Sequence, residues 1–372
     1  MADHSLKRHV TGQCARRIAD LVGDRVDGEE FARAVDARIG DLELKDRVLV
    51  IARELREQLG EDYVDSLSVL VDSLGPELRE DQGMFTESWY LMPVARFVEE
   101  FGLDHPRESL AAIEQITRRH TGEYAIRPYL AQWHEMTMAA VRDWARSDSH
   151  NVRRLASEGI RPRLPWAGQF APFIADPRPV IEVIDLLIDD PSLYVRTSVA
   201  NNLNDISRDH PELAVDTAVR WLAAGSERNS WIVTRGLRTL VKKGHPGALE
   251  LVGAAHDPAI MVRDVAVTPD RLRIGETLAV TVTVANESDT ERDVIVDYQI
   301  HFRRPDGSLR PATFKAGRVP VAPGATAEVR ARRPLRQLTT RTLHPGEHLV
   351  TAQANGNPGG RATFQLLPAA PE

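Results

Sequence analysis

The spacing of the apolar residues changes once, near residue 262, and that change limits what the chain can fold into. Before it, apolar residues recur every three or four positions, as in "VLVIARELREQL" and "ELAVDTAVRWLAAG", the period that gives a helix one buried face. After it, "LAVTVTVAN", "DVIVDYQIHF", "AEVRARR" and "HLVTAQAN" alternate and are rich in valine and threonine, as strands half-buried on a core do. Turn residues separate these runs, as in "NES", "RPDGS" and "APGAT". Short strands at this spacing predict a β-sandwich of immunoglobulin type. It lacks the disulfide of that fold, because the chain has a single cysteine, Cys14.

The helical part carries a repeat. "SDSHNVRRLASEGIRP", "DPSLYVRTSVANNLNDISRDHP" and "SERNSWIVTRGLRTLVKKGHP" look alike, and the last two end in His-Pro at His210-Pro211 and His245-Pro246. Their offsets of about 35 to 43 residues approach the ~40–47 of HEAT-type helical pairs. Such pairs stack into a solenoid with a binding face. The expected fold is therefore mainly α, a HEAT-like α-solenoid over residues 1–262 followed by an immunoglobulin-like β-sandwich over 263–372. No low-complexity linker separates the two textures.

One cysteine also excludes a cysteine-cluster zinc or iron–sulfur centre and suits a reducing compartment. The segment "MADHSLKRHVTGQ" has no apolar core of a signal peptide, and no run approaches about eighteen apolar residues. The expectation is a cytoplasmic protein that neither spans nor requires a membrane.

Net charge is −7, which by itself argues against non-specific nucleic-acid binding. The charge is unevenly spread. From Arg263 onward there are 15 Lys and Arg against 12 Asp and Glu, leaving 32 against 42 before it. Within the acidic part, Arg142 to Arg163 holds six arginines against Asp143, Asp148 and Glu158. A local positive patch is what steers a polyanion.

The densest stretch of that patch is "RRLASEGIRPRLPW", Arg153 to Trp166. On a helix from about Asn151, Val152, Leu155, Ala156 and Ile160 face inward, and Arg154, Glu158 and Arg161 fall together on the far flank. A surface salt-bridge ladder gives the same pattern. In the next repeat Val195, Val199, Leu203 and Ile206 form the core side, and Asp205 projects beside Ser198, Asn201 and Arg208. Glu123 follows "TG" and is expected in the first turn of the helix "EYAIRPYLAQWHEM", where an acid also complements the helix dipole. Trp166 ends a segment in which two prolines forbid continuous helix; it either caps the core or forms a rigid aromatic wall for a ligand. Lys242 and Lys243 in "LVKKGHP" are candidate phosphate contacts, or simply solvated.

Other chemistries find little support. There is no phosphate-cradling glycine loop, no H-E-x-x-H, no G-x-S-x-G elbow, and the twelve histidines form no cluster with ligand spacing. No metal and no cofactor are expected.

Taken together, "EYAIRP", "VRRLASEGIRPRLPW", "SVANNLNDISRDHP" and "WIVTRGLRTLVKKGHP" resemble the AlkC branch of the alkylation-repair DNA glycosylases, one subgroup of which adds a C-terminal immunoglobulin-like domain. The resemblance covers essentially the whole chain. It implies removal of bases methylated at ring nitrogens, chiefly 3-methyladenine and 3-methylcytosine, to leave an abasic site without a closed base pocket. On the matching motifs Trp166 is the aromatic that faces the lesion nucleotide, and Glu123, Glu158 and Asp205 are the carboxylates. Arg154 and Arg161 are phosphate or carboxylate partners. Arg153, Arg163, Arg208, Lys242 and Lys243 complete the expected DNA-binding set. The partner is double-stranded DNA bearing alkylated bases, the protein a monomer, nucleoid-associated when bound.

Two other classes fit part of the pattern. A non-enzymatic HEAT scaffold that binds DNA or protein needs the arginines but not the three acids. A protein-interaction module would use the β-sandwich to recruit a partner.

Overall fold

A computed structural model of the chain describes residues 6–79, 82, 84–254, 256–338 and 341–370. Helices follow one another from Gly12–Val22 to Pro246–Leu251, and strands begin at Ile260. Two compact units form. One runs through Ile206 and includes Ser226–Ile232; the other comprises Ser207–Gly225 and the chain from Val233 onward. Among the described residues no helix is long and apolar enough to cross a membrane.

In the first unit, helices adjacent in sequence pack on one another, as expected of HEAT-like repeats. The helices that position the site are Ile126–Gln132, His134–Trp144, His150–Glu158 and Leu193–Ile206. Val152, Leu155 and Ala156 of the third are buried, as are Val195, Val199, Ala200 and Leu203 of the fourth, and these two helices pack together. The inward faces are those the helical period indicates.

Two local expectations change. "EYAIRPYLAQWHEM" is not one helix: Ile126–Gln132 and His134–Trp144 are separate, and between them Trp133 has φ −122° and ψ 45°. Pro128, in the first turn, removes a donor that has no intrahelical acceptor there. Glu123 lies in the turn before the helix, not in its first turn. The helix His150–Glu158 ends earlier than its charge pattern indicates, so Arg161 stands on the following loop.

The second unit contains the immunoglobulin-like sandwich. Its strands are β1 (Ile260–Thr268), β2 (Arg271–Arg273), β3 (Thr277–Asn286), β4 (Arg292–Arg303), β5 (Leu309–Val321), β6 (Thr326–Pro334), β7 (Gly346–Ala354) and β8 (Asn357–Leu367). β1-β3-β6 form one sheet and β2-β8-β7-β4-β5 the other. Alternate residues of β3 (Leu278, Val280, Val282, Val284) and of β4 (Val294, Val296, Tyr298, Ile300) fill the core between them. Ile295 faces the opposite way and packs with Leu249 and Ala254, so the last helices of the chain cover part of the sandwich's outer face. Gly244 and Gly356 meet there, and a β-carbon on Gly244 would lie 2.6 Å from the α-carbon of Gly356.

Candidate active site

The charged stripe of the sequence is buried. Glu158 retains 6% of its exposure, Arg161 6%, Glu123 7% and Asp205 2%. A surface ladder is thereby ruled out for these side chains, and burial of four charged groups requires that each be paired.

The pairing runs through three successive helical layers. Arg154 donates to the carboxylate of Glu123 and, at 3.1 Å, to Thr121 Oγ1, which itself donates to Glu123 Oε2 at 3.1 Å. The Nη2 of Arg154 lies 3.6 Å from Glu158 Oε1. Arg161 reaches back from the loop to donate to Glu158 Oε1 at 2.7 Å, and donates from Nε to Asp205 Oδ2 at 2.8 Å. The order is acid, arginine, acid, arginine, acid. The second oxygen of Glu158 accepts from Ser198 at 2.6 Å, and Ser198 also meets Ser157, which Asn202 holds at 3.0 Å. Beneath Arg154 lies the ring of Tyr194, with the guanidinium carbon 5.0 Å from its centroid.

These surroundings set the protonation states. Burial pushes the Glu158 carboxyl upward, but Arg154, Arg161 and Ser198 outweigh it and hold it below the ordinary glutamate value. Burial likewise opposes the charge of Arg154 and of Arg161, and their carboxylate partners raise both above the ordinary value. Tyr194, desolvated, is pushed up to about 12 and stays neutral.

Trp166 is the opposite of its neighbours. It stands 56% exposed on the loop after the His150–Glu158 helix, with φ +64°. A bulky residue in the left-handed region costs roughly 1–3 kcal/mol and persists only where the surroundings impose it. They do so here. Arg127 donates to the carbonyls of Gly159 (3.3 Å), Arg161 (2.8 Å) and Gly168 (2.9 Å); Tyr124 donates to Pro165 (3.3 Å); and Lys45 donates to the Trp166 carbonyl. The loop is thus tied to the turn that carries Glu123.

The remaining candidates are placed differently. Arg153 was expected to meet DNA, but its guanidinium is spent inside the protein: Nε and Nη2 on Asp190 at 2.6 and 3.1 Å, Nη1 on the Ser147 and Asp148 carbonyls at 2.9 Å. Arg154 and Arg161 are carboxylate partners, not exposed phosphate contacts. Arg163 is half-buried on the Trp166 loop. Arg208, just past the Leu193–Ile206 helix, and Lys242 and Lys243, at the end of the Arg238–Lys242 helix, are exposed in the second unit. Sequence reasoning missed Thr121, Tyr194 and Arg127. None has a signature of its own, since each acts by tertiary placement.

The β-sandwich, residues 261–368, matches the family described as "Uncharacterised protein YhaZ, C-terminal Ig-like domain". The YhaZ protein of Bacillus subtilis (strain 168) is 35% identical over 326 residues, 88% of each chain. The alkylpurine DNA glycosylase AlkC of Pseudomonas fluorescens, solved bound to DNA containing an abasic site analog, superposes with a TM-score of 0.88 at 31% identity, covering 97% of this chain and 99% of its own. On these likenesses, which span nearly the whole of both relatives, the chain belongs to the family of AlkC-type alkylpurine DNA glycosylases with a C-terminal immunoglobulin-like domain.

Proposed function

We propose that this protein is a monofunctional DNA glycosylase of base excision repair. It hydrolyses the N-glycosidic bond of cationic N-methylated bases in double-stranded DNA, 3-methyladenine and 3-methylcytosine, and leaves an abasic site. The observation that carries this reading is the ladder Glu123–Arg154–Glu158–Arg161–Asp205, tied through Tyr124 and Arg127 to the loop that exposes Trp166.

A ring-methylated base already bears positive charge. When its bond to C1′ breaks, the electron pair flows into the ring and neutralises it, so no acid need protonate the leaving group. Positive charge passes to the deoxyribose, as in the oxocarbenium-like states of glycosidases. Glu158, with Glu123 and Asp205, stabilises that charge, water adds to C1′, and its proton passes to a carboxylate or to solvent. Trp166 lays its ring against the sugar or the cationic base, a contact worth about 0.5–2 kcal/mol. Glu158, held ionised, is a poor general acid, which narrows the substrates to bases that leave unaided. Trp166 is a platform on a surface loop, which suits a lesion reached through its sugar without a base-flipping pocket.

DNA phosphates are held by Arg163, Arg208, Lys242 and Lys243, whereas Arg153, Arg154 and Arg161 hold the site's own groups. The sandwich extends the grip with Arg333, 4.0 Å from the Phe314 ring, and Arg341, 4.5 Å from that of Phe302. The protein acts as a monomer.

The test is base release from methylated duplex DNA, with 3-methyladenine, 3-methylcytosine and 7-methylguanine followed separately. Release of the first two, with 7-methylguanine largely retained, supports the reading. No release of any base, with salt-sensitive DNA binding intact, makes the chain a DNA-binding scaffold.

A further inference from the structure

The first unit contains a cavity of about 640 Å³ whose interior has no part in the chemistry above, although Trp166 forms part of its wall. Its size falls within the ~300–1,000 Å³ of small-molecule sites. Four aromatic side chains line it: Phe85, Tyr124, Trp166 and Phe170. Phe85 and Trp166 are 44% and 56% exposed, large apolar groups left open to solvent. The wall is shared with the catalytic ladder. Thr121, which lines the cavity, accepts from Arg154 at 3.1 Å and donates to Glu123 at 3.1 Å.

The charges at its wall discriminate between ligands. Lys45 and Arg127 both line it, and among the described residues neither has an acidic ion-pair partner. Lys45 donates to the Trp166 carbonyl and lies 5.7 Å from the centroid of Tyr124, and Arg127 is held by backbone carbonyls alone, 5.1 Å from the centroid of Phe170. Of the two acids at the wall, Glu99 is paired with Arg96 at 2.5 Å, and Asp46 lies in the first turn of the Leu44–Leu59 helix. His120, also at the wall, is pushed down to about 4 by burial and is neutral. Lys45 and Arg127, two cations with no carboxylate partner among the described residues, disfavour a cationic base in the cavity relative to a neutral planar one.

We propose that this cavity is a binding site for the free, neutral purine base after it has left the sugar, 3-methyladenine above all. The inference rests on the proposed glycosylase reaction, in which cleavage converts a cationic base into a neutral one beside Thr121. The cavity disfavours the base while it is bonded and charged, and favours it once the bond electrons have neutralised it. Stacking on the aromatic walls supplies the affinity, and product inhibition by the free base follows.

The experiment is equilibrium binding of free 3-methyladenine to the DNA-free full-length protein at mildly alkaline pH, read by tryptophan fluorescence and calorimetry, with the cationic 3,9-dimethyladeninium as comparison. Saturable binding of the neutral base, and binding of the cation at least about ten-fold weaker, is expected. Phe85→Ala should weaken binding about five-fold, and Ala131→Trp, which adds bulk at the exposed rim, should abolish it with the circular-dichroism spectrum unchanged. No binding up to millimolar base overturns the proposal, as does binding that neither variant affects or that favours the cation. The DNA reaction is measured separately on the same protein. Base release without base binding overturns the cavity alone, and base binding without base release overturns the glycosylase reading and leaves the cavity as a purine site.

Discussion

The Nε of Arg161 lies 2.8 Å from Oδ2 of Asp205, forty-four residues further along the chain, and both side chains are buried. One arginine on a loop therefore fixes the separation of two carboxylates on different helices, because the same guanidinium also donates to Glu158 at 2.7 Å. Asp205→Ala removes one partner and leaves Arg161 partly uncompensated. A loss of about 3–5 kcal/mol in unfolding free energy is expected from the breaking of a buried pair, measured by urea denaturation. Asp205→Asn, which keeps a hydrogen-bond acceptor, should lose less than half of that.

Glu158→Gln keeps the volume of the side chain and removes the charge. Base release should fall by at least about a hundred- to a thousand-fold, the scale of a preorganised electrostatic contact. Duplex binding should persist or tighten, since one negative charge near the phosphates is gone. Single-turnover release alongside fluorescence anisotropy reads both. Full release by Glu158→Gln would falsify the catalytic assignment.

The pH dependence follows from the depressed pKa of Glu158. Its folded value lies below the ordinary 4.5, so its ionised form contributes stability above 4.5 that is lost as pH falls through the folded value. The acid limb of the base-release profile should follow the same titration. Removing one of the supporting charges raises that pKa, so Arg161→Gln should move the limb toward neutral pH. A limb that stays in place while the rate drops would leave Arg161 a structural residue only.

Salt separates the arginines that hold DNA from those that hold the protein. Lys242→Ala and Lys243→Ala should each flatten the log–log salt slope of duplex binding by about 0.9. Arg153→Ala should leave the slope unchanged and instead lower the denaturation midpoint, because its partners are Asp190 and two carbonyls.

Trp166 should show a trade between activity and stability. Trp166→Gly relieves a φ of +64° and exposes no core, so the protein should gain stability or lose none. Base release should fall about three- to thirty-fold, in line with a cation–π contact of about 0.5–2 kcal/mol. Equal losses of activity and stability would make the tryptophan a structural cap.

The sequence carried the large features because they are periodic. Val195, Val199, Leu203 and Ile206 recur at helical spacing, Val280, Val282 and Val284 at strand spacing, and each set is buried as its period requires. The three carboxylates were visible as acids set among basic or small polar residues. Their burial was not, because a stripe of charge on one helix reads as solvated until the next helix is laid over it. Arg161 shows the limit most clearly. Its i+3 spacing from Glu158 is readable, but its place on a loop and its reach to Asp205 depend on where the helix stops. The isolation of Ile126–Gln132 from His134–Trp144 at Trp133 was equally hidden, since the residues on both sides keep a helical period. Tyr194 and Thr121 have no local pattern at all.

The packing of Ile295 on Leu249 and Ala254 has a consequence for how this chain can be divided or recombined. The sandwich is not a bead that ends where its strands end. A fragment cut at the change of texture would leave Ile295 bare and part Gly356 from Gly244, whose backbones meet too closely for any β-carbon. The smallest piece that folds on its own begins upstream of the first strand, and a transplant of the sandwich into another protein must carry its two short helices with it.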